Sequence, residues 1–153
     1  MMKVRTAKPE DLREIVKLNE LLFKEEYALY DKTLDCSWPF GKVHYFRRMI
    51  TDDKKFCAVA LNSQKIVGYI TGYMEKQDWR STRNIALLGN IFVLKEHRRS
   101  GAGKMLTNEF IEWSRKMKAD RMKVIAFPGN KNGIAFYMKM GFREYMITLE
   151  RPI

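Results

Sequence analysis

Residues 89–106 read GNIFVLKEHRRSGAGKML, which predicts a strand that ends near Leu94, then a basic turn, then a helix that begins at Gly101. The first N–H groups of a helix have no partners inside the helix, and the helix dipole places partial positive charge beside them. Gly101 and Gly103 carry no side chain that would hold an anion away from the backbone. The turn also carries three basic residues, Arg98, Arg99 and Lys104. The sequence therefore predicts a cradle for an anion, of which a pyrophosphate is the simplest candidate.

The glycines of this turn match neither of two common nucleotide-binding motifs. A P-loop needs Ser or Thr after its lysine, whereas Met105 follows Lys104. A dinucleotide-binding fingerprint needs a third glycine at the position of Leu106. The pattern that remains is R-x-x-G-x-G over residues 98–103.

The rest of the chain alternates between helix and strand patterns. Apolar residues recur every three or four positions in four segments, which predicts helices over about residues 9–30, 42–50, 101–117 and 130–140. β-branched and aromatic runs bounded by polar turns predict strands over residues 3–7, 55–62, 65–76, 85–94, 122–127 and 142–150. No linker or repeat interrupts this order, so we expect one α/β domain over residues 1–153.

The composition limits the functional classes. Of the 153 residues, 46% are apolar, which suits a folded domain. No apolar run approaches the roughly 20 residues of a membrane span, and the N-terminus lacks the apolar core of a signal peptide. We therefore expect a cytoplasmic protein without a membrane segment. Two separated cysteines and two histidines leave little material for a disulfide framework or a metal site.

The formal net charge of +11 favours an anionic partner. No RRM, KH, zinc-finger or basic-zipper pattern accompanies this charge, which argues against a nucleic-acid-binding protein. The cradle gives the charge another use, because it can steer a polyphosphate cofactor toward the turn.

A second motif lies downstream of the cradle, in the stretch GNKNGIAFYMKMGF. It contains Asn130, then Tyr137 seven positions later, then Gly141 and Phe142 after four more. Together with R-x-x-G-x-G after a strand that ends in Val93, this spacing resembles the GCN5-related N-acetyltransferase (GNAT) superfamily. The hairpin before the cradle and the N-terminal helix pair also match, so the resemblance covers nearly the whole chain.

The resemblance implies a GNAT-like fold, in which a central mixed, mostly antiparallel sheet is flanked by helices and splayed at the cofactor site. It implies acetyl-coenzyme A (acetyl-CoA) as the co-substrate and an amine, in a small molecule or a protein, as the acceptor. The amine would attack the thioester directly, without an acyl-enzyme. A homodimer that pairs through late strands is a further implication.

The resemblance also implies roles for individual residues of this sequence. The strand before the cradle pairs its backbone with the pantetheine arm, here at Phe92, Val93 and Leu94. Asn130 contacts the pantetheine, and Tyr137 lies beside the sulfur as the general acid. The diphosphate is bound by the residues of the cradle: Arg98, Arg99, Ser100, Gly101, Ala102, Gly103 and Lys104.

The general base is left open by the sequence. Many members of the family carry a Glu on the cofactor-binding strand, about four residues before the valine, where this chain has Gly89. A substrate amine that loses its proton to water is one alternative. The absent carboxylate also keeps open a catalytically silent acyl-CoA sensor or partner-binding module. Candidate bases elsewhere in the chain are Glu25, Glu26, His44, Glu75 and Asp78.

The acceptor site is not fixed by any motif. Acidic and aromatic residues cluster at the end of the first helix and in the loop after it, from Glu25 to Trp38. Carboxylates beside aromatic rings suit a cationic amine, and a solvated acidic helix end is the alternative. Trp38 and Trp79 either line an acceptor pocket or cap the core.

Overall fold

The computed structural model describes residues 1–36, 39–76, 80 and 82–153, with the backbone alone for residues 39–41. Five strands form one sheet in the order β1-β2-β3-β4-β5. Neighbouring strands pair antiparallel, except that β5 pairs parallel to β4, so the mixed, mostly antiparallel sheet is confirmed. The strands are β1 (Met2–Thr6), β2 (Lys55–Asn62), β3 (Lys65–Met74), β4 (Ile85–Val93) and β5 (Arg121–Val124).

Four helices flank this sheet, each where the apolar spacing predicts one. None of the helices within the described ranges combines the length and the apolar character that a membrane crossing requires. The first predicted helix is divided, because a short 3-10 turn over Pro9–Asp11 precedes α1. The helices are α1 (Leu12–Leu29), α2 (Pro39–Thr51), α3 (Ala102–Lys116) and α4 (Lys131–Lys139).

Asp11 fixes the start of α1 to the sheet. Its buried carboxylate accepts a hydrogen bond from Lys8 N at 2.7 Å and pairs with both guanidinium nitrogens of Arg5, on β1, at 2.6 and 2.9 Å. Hydrogen bonding to Arg5 holds the pKa of Asp11 below its usual range. The direction of α1 across the sheet is therefore set at its first turn.

The helices cover the two faces of the sheet with separate apolar cores. On one face, Leu106 and Phe110 of α3 are fully buried. A Cβ at Gly72 would lie 2.1 Å from Cε2 of Phe110, so the glycine lets α3 pack closely on β3. On the other face, Ile15 of α1 and Phe46 of α2 are buried. Burial of each such side chain contributes about 2 kcal/mol, which holds α1 and α3 on opposite sides of β4.

The sheet is splayed between β4 and β5. Their pairing runs only from Ile85 opposite Arg121 to Leu88 opposite Val124. Among the described residues, positions 89–93 of β4 have no strand on that side. This opening, which we call the β4–β5 gap, leaves backbone groups of β4 available to a ligand.

The final predicted strand is absent, so the prediction over residues 142–150 is wrong. These residues belong to the described chain and form neither helix nor strand. Tyr145, Ile147 and Leu149 are 70%, 80% and 89% exposed. Alternation of apolar residues predicts which side chains need burial, but a strand forms only where a sheet edge pairs with it.

Candidate active site

The turn that enters α3 presents a concave run of unpaired backbone N–H groups. Arg99 and Gly101 both have positive φ angles, 63° and 89°, with Ser100 between them. Such left-handed residues aim successive N–H groups into one concavity. Within the described chain, the N–H groups of residues 99–104 donate to no protein acceptor, and the first helical bond joins Met105 N to Gly101 O at 3.0 Å. With the dipole of α3, this nest (residues 99–104) is suited to an anion.

The charge beside the nest comes from Arg99 and Lys104, which are exposed and make no ion pair in the described part of the chain. Arg98, although predicted in the cradle, is directed elsewhere. Its Nε donates to Val93 O at 2.9 Å, and its two terminal nitrogens donate to the Glu25 carboxylate at 3.0 and 2.7 Å. Arg98 therefore ties the end of β4 to α1.

Ser100 and Ala102 hold the turn in place. The Ser100 hydroxyl donates to His97 O at 2.6 Å. Ala102 is 1% exposed and belongs to the core beneath α3. The Ser100 hydroxyl is thus already hydrogen-bonded, and the Ala102 side chain packs in the core. The main hydrogen-bond donors of the nest are therefore its backbone N–H groups.

The two glycines of the turn serve different purposes. Gly101 adopts a left-handed conformation, and a Cβ there would meet no atom within 4 Å, so space is open above the nest. A Cβ at Gly103 would lie 3.5 Å from Cζ of Phe136, at ordinary van der Waals distance. Gly103 therefore lies where α3 approaches α4, and α4 borders the nest.

The edge of β4 presents backbone groups to the gap. Leu94 N–H donates to Val67 O at 2.9 Å, so the backbone of Leu94 faces β3. In an antiparallel strand the N–H and C=O groups of successive residues point to opposite edges. Those of Phe92 therefore also point toward β3, while those of Val93 and Ile91 point toward the gap. Of the three residues predicted to pair with pantetheine, only Val93 has its backbone on this edge. Ile91 is not among the predicted residues, although its backbone also lies on this edge; the period of two identifies it once the register of β4 is known.

Asn130 is the N-cap of α4. Its Oδ1 accepts a hydrogen bond from Gly133 N at 2.9 Å, and its Nδ2 donates to no acceptor in the described chain. A Cβ at Gly133 would lie 2.4 Å from that Nδ2, so the cap requires a glycine three residues later. The cap leaves one amide donor of Asn130 for a ligand.

Tyr137 lies on α4, next to Phe136, the residue that approaches Gly103 of the nest. Its ring packs on the same core cluster as Ile91 and Val93, and meets Phe142 edge-on at 5.7 Å. Burial, with a smaller contribution from the charge of Glu26, raises the pKa of Tyr137 to about 12. Its hydroxyl, which makes no hydrogen bond in the described chain, therefore keeps its proton at neutral pH.

Gly89 lies in a β-bulge where the pairing of β4 with β3 shifts at Thr71. A Cβ at Gly89 would be 3.2 Å from Thr71 Oγ1 and 3.5 Å from the Tyr45 hydroxyl. The hydroxyl groups of Thr71 and Tyr45 thus lie beside the place that the Cβ of a glutamate at this position would take. β4 carries no carboxylate at this position.

The carboxylates predicted as bases differ in their surroundings. Glu25 is held by the arginine of the turn, and Glu75 pairs with Lys123 Nζ at 2.5 Å. Glu26 is half-buried without an ion pair in the described ranges, and burial, followed by the charge of Glu25, raises its pKa. His44 is exposed on α2. Three predicted side chains lie outside the described residues: Trp38, Asp78 and Trp79.

Glu26 lies on the face of α1 that packs on the sheet. Asn19, Glu26 and Tyr30 follow one stripe of the helix, seven and four residues apart. Asn19 Nδ2 donates to the Tyr69 hydroxyl on β3 at 2.8 Å, and Tyr30 stacks on Phe127, beyond β5, at 5.4 Å. Glu26 comes between these two contacts, and its charge contributes to the raised pKa values of Tyr69 and Tyr137.

Solved structures share this fold. A mutant of the BH1408 protein of Bacillus halodurans has a TM-score of 0.89 at 19% identity, over 99% of both chains. The aminoglycoside N-acetyltransferase AAC(6′)-Iy, solved with coenzyme A, has a TM-score of 0.77 at 16% identity, over 99% of this chain and 95% of its own. At such identities the likeness shows the fold.

A curated relative, an uncharacterised N-acetyltransferase of Methanocaldococcus jannaschii, is 27% identical over 141 residues. The match covers 92% of this chain but only 60% of the relative's length. The acetyltransferase (GNAT) family model matches residues 18–142, which include the nest, the β4–β5 gap and the motif from Asn130 to Phe142. The chain therefore belongs to the GNAT acetyltransferase family.

Proposed function

We propose that this chain is an N-acetyltransferase that moves the acetyl group of acetyl-CoA to a primary amine by direct attack on the thioester. The observation that carries the proposal is the run of unpaired N–H groups at residues 99–104, which lies at the mouth of the β4–β5 gap. A diphosphate fits this nest, because backbone donors, a helix dipole and two free cations converge on it.

The pantetheine arm then extends along the open edge of β4. The backbone groups of Ile91 and the N–H group of Val93, whose carbonyl already accepts from Arg98, face this edge and pair with the amides of the arm, as an added strand would. The free Nδ2 of Asn130 donates to a carbonyl of the arm from the other wall. The thioester is thereby placed beside Tyr137.

The transfer needs two proton movements. The amine nitrogen forms a bond to the acetyl carbon as the carbon–sulfur bond breaks, and the leaving thiolate takes a proton. Tyr137 supplies that proton, because its hydroxyl is protonated and unpaired. An N–H group on the gap edge near Val93 stabilises the negative charge that develops on the carbonyl oxygen.

Glu26 is the best-placed base for the amine. Its raised pKa makes it a better proton acceptor than an ordinary carboxylate, and its charge acts on Tyr137. The other candidates that the structure describes are exposed or held in ion pairs. In this mechanism a helix carboxylate replaces the strand carboxylate that Gly89 lacks.

The test is coenzyme A release from acetyl-CoA with a panel of amines, including aminoglycosides, because a solved neighbour is an aminoglycoside acetyltransferase. We expect turnover with at least one amine, and a loss of about 100-fold in kcat for Tyr137→Phe with acetyl-CoA affinity unchanged. The phenylalanine keeps the ring packing and removes only the proton donor. Binding without turnover across the panel would favour the silent acyl-CoA sensor instead.

A further inference from the structure

Lys42, on α2, is a buried cation that the proposed mechanism does not use. It is 1% exposed, and its Nζ has no hydrogen-bond partner in the part of the chain that the structure describes. No ion pair among the described residues includes it. Lysine is almost never fully buried without a partner, because its long stem normally carries the amine to solvent. The surface is near, since the next residues of α2, Val43 and His44, are exposed.

The Lys42 amine contacts an aromatic ring of α1. Its Nζ lies over Phe23, 4.7 Å from the centroid of the ring. A cation–π contact offsets only part of the cost of removing an ammonium group from water. A buried donor with this charge is expected to have a charged acceptor as well. Because the described chain supplies no such acceptor to Nζ, a bound anionic group is the partner that this position suits.

Lys42 lies on the face of α2 that packs on the sheet. Lys42, Phe46 and Met49 are all buried and follow one stripe of the helix, four and three residues apart. Phe46 meets the ring of Tyr69 edge-on at 5.8 Å, and Tyr69 belongs to β3, which pairs with β4. Since Nζ also contacts Phe23, the Lys42 amine lies between α1 and α2 on the side of the sheet.

Phe23 connects Lys42 to the proposed base. Phe23 and Glu26 are three residues apart on α1, so they are neighbours on the helix surface. Lys42 and Glu26 form no ion pair with each other, and Lys42 is not among the charges that shift the pKa of Glu26. The cation and the carboxylate thus both lie by this turn of α1 without pairing. A ligand that carries an amine and an acid group complements both.

We propose that the acceptor amine of this chain carries a carboxylate, which binds Nζ of Lys42 while the amine faces Glu26. The inference rests on the proposed acetyl transfer and names its substrate class: amino acids and similar zwitterions. The Phe23 ring is itself only partly buried, so its displacement opens a path to Nζ. The carboxylate supplies the charged hydrogen bonds that Nζ lacks within the described chain, and burial strengthens them.

The experiment compares amines that differ only in a carboxylate. The full chain, saturated with coenzyme A, is titrated by calorimetry with two matched pairs: phenylalanine with phenethylamine, and lysine with cadaverine. At least one amino acid should bind about 30-fold more tightly than its decarboxylated partner, as expected for a hydrogen bond between charged groups. A preference in neither pair, including no binding of either amino acid, would overturn the proposal.

Two variants assign the preference to Lys42. Lys42→Met keeps an unbranched stem and removes the charge, so it should bind both members of a pair equally and coenzyme A within threefold of the parent. Its Tm without ligand should be at or above that of the parent, because an unpaired buried charge is removed. Arg48→Met removes the same charge from an exposed position of α2 and should keep the preference. A preference retained in Lys42→Met would overturn the proposal, and so would a lower Tm, which would mean that Nζ has a partner within the chain.

Coenzyme A release from acetyl-CoA separates this inference from the proposed function. Turnover of amines without any preference for the amino acids would remove the inference and leave the acetyltransferase. Preferential binding of an amino acid without turnover of any amine would keep the Lys42 site and remove the acetyltransferase.

Discussion

Substitutions of Gly103 can change the charge of the turn without disrupting its fold, so they test whether the nest binds a diphosphate. Gly103 is the second residue of α3, within the nest at residues 99–104. A Cβ there meets Phe136 at 3.5 Å without a clash, so a side chain is tolerated. Three variants share that Cβ and differ beyond it: Gly103→Ala, Gly103→Gln and Gly103→Glu.

The magnitudes follow from helix propensity and Coulomb's law. Replacing a helical glycine by alanine stabilises a helix by about 0.5–1 kcal/mol, which raises Tm by about 1–4 °C for a chain of this size. Glutamate near a helix N-terminus is also favourable, so Gly103→Glu should remain folded. Two like charges about 4 Å apart cost about 4 kcal/mol at an intermediate dielectric. Exposure of the nest reduces this cost, and a loss of about 100-fold in coenzyme A affinity is expected.

The assay is calorimetric titration with coenzyme A, together with thermal unfolding of each apo variant. Gly103→Ala should bind within about threefold of the parent, and Gly103→Gln within about tenfold. Only Gly103→Glu should lose about 100-fold while its Tm stays at or above that of the parent. Equal losses for the Gln and Glu variants would mean that bulk, not charge, is responsible. Parent-like affinity for Gly103→Glu would refute the assignment of the nest to the diphosphate.

Two further predictions concern Glu26 and Asn130. Glu26→Gln should abolish the rise of kcat/KM with pH on the acid side of the pH–rate profile. If the variant keeps this rise, another group is responsible for it. Burial raises the pKa of Glu26 above its ordinary value of 4.5. The contribution of Glu26 to the free energy of unfolding is therefore present below pH 4.5 and is lost as the pH rises through the raised pKa. The Gln variant should consequently unfold no more easily than the parent at pH 7. Asn130→Ala should lose the cap on Gly133 and about 1 kcal/mol of unfolding free energy, measured with urea. Asn130→Asp keeps the capping oxygen, so it should retain stability but bind coenzyme A more weakly; unchanged affinity would make Asn130 a cap alone.

The elements of the fold are predictable because their signals are local. The apolar spacing that predicts α3 and the glycines at its start lie within one short stretch of sequence, and the structure forms the helix in that stretch. The same holds for Asn130 and Gly133, whose capping contact spans three residues. The strand predicted at residues 142–150 is wrong. The alternation of apolar residues is a local signal, but the sheet edge with which such a strand would pair is distant in the sequence.

The missed features of the site depend on register and on packing between distant elements. The choice of Val93 and Ile91 over Phe92 follows from which residue of β4 pairs with Val67, and a shift of one residue would reverse it. Arg98 appears free in the sequence, since its partner Glu25 lies 73 residues away. Spacing along the chain cannot predict such a pair.

Helix α1 links the two halves of the candidate site through neighbouring residues. Glu25 binds Arg98, which in turn bonds Val93 O, so this carboxylate fixes α1 to the end of β4. Glu26, one residue later, lies on the stripe of α1 whose residues Asn19 and Tyr30 contact Tyr69 and Phe127. The charge of Glu25 also contributes to the raised pKa of Glu26. The Glu25 carboxylate that positions the turn thus also contributes to the raised pKa of the proposed base, and a base on α1 would take the place of a carboxylate on β4.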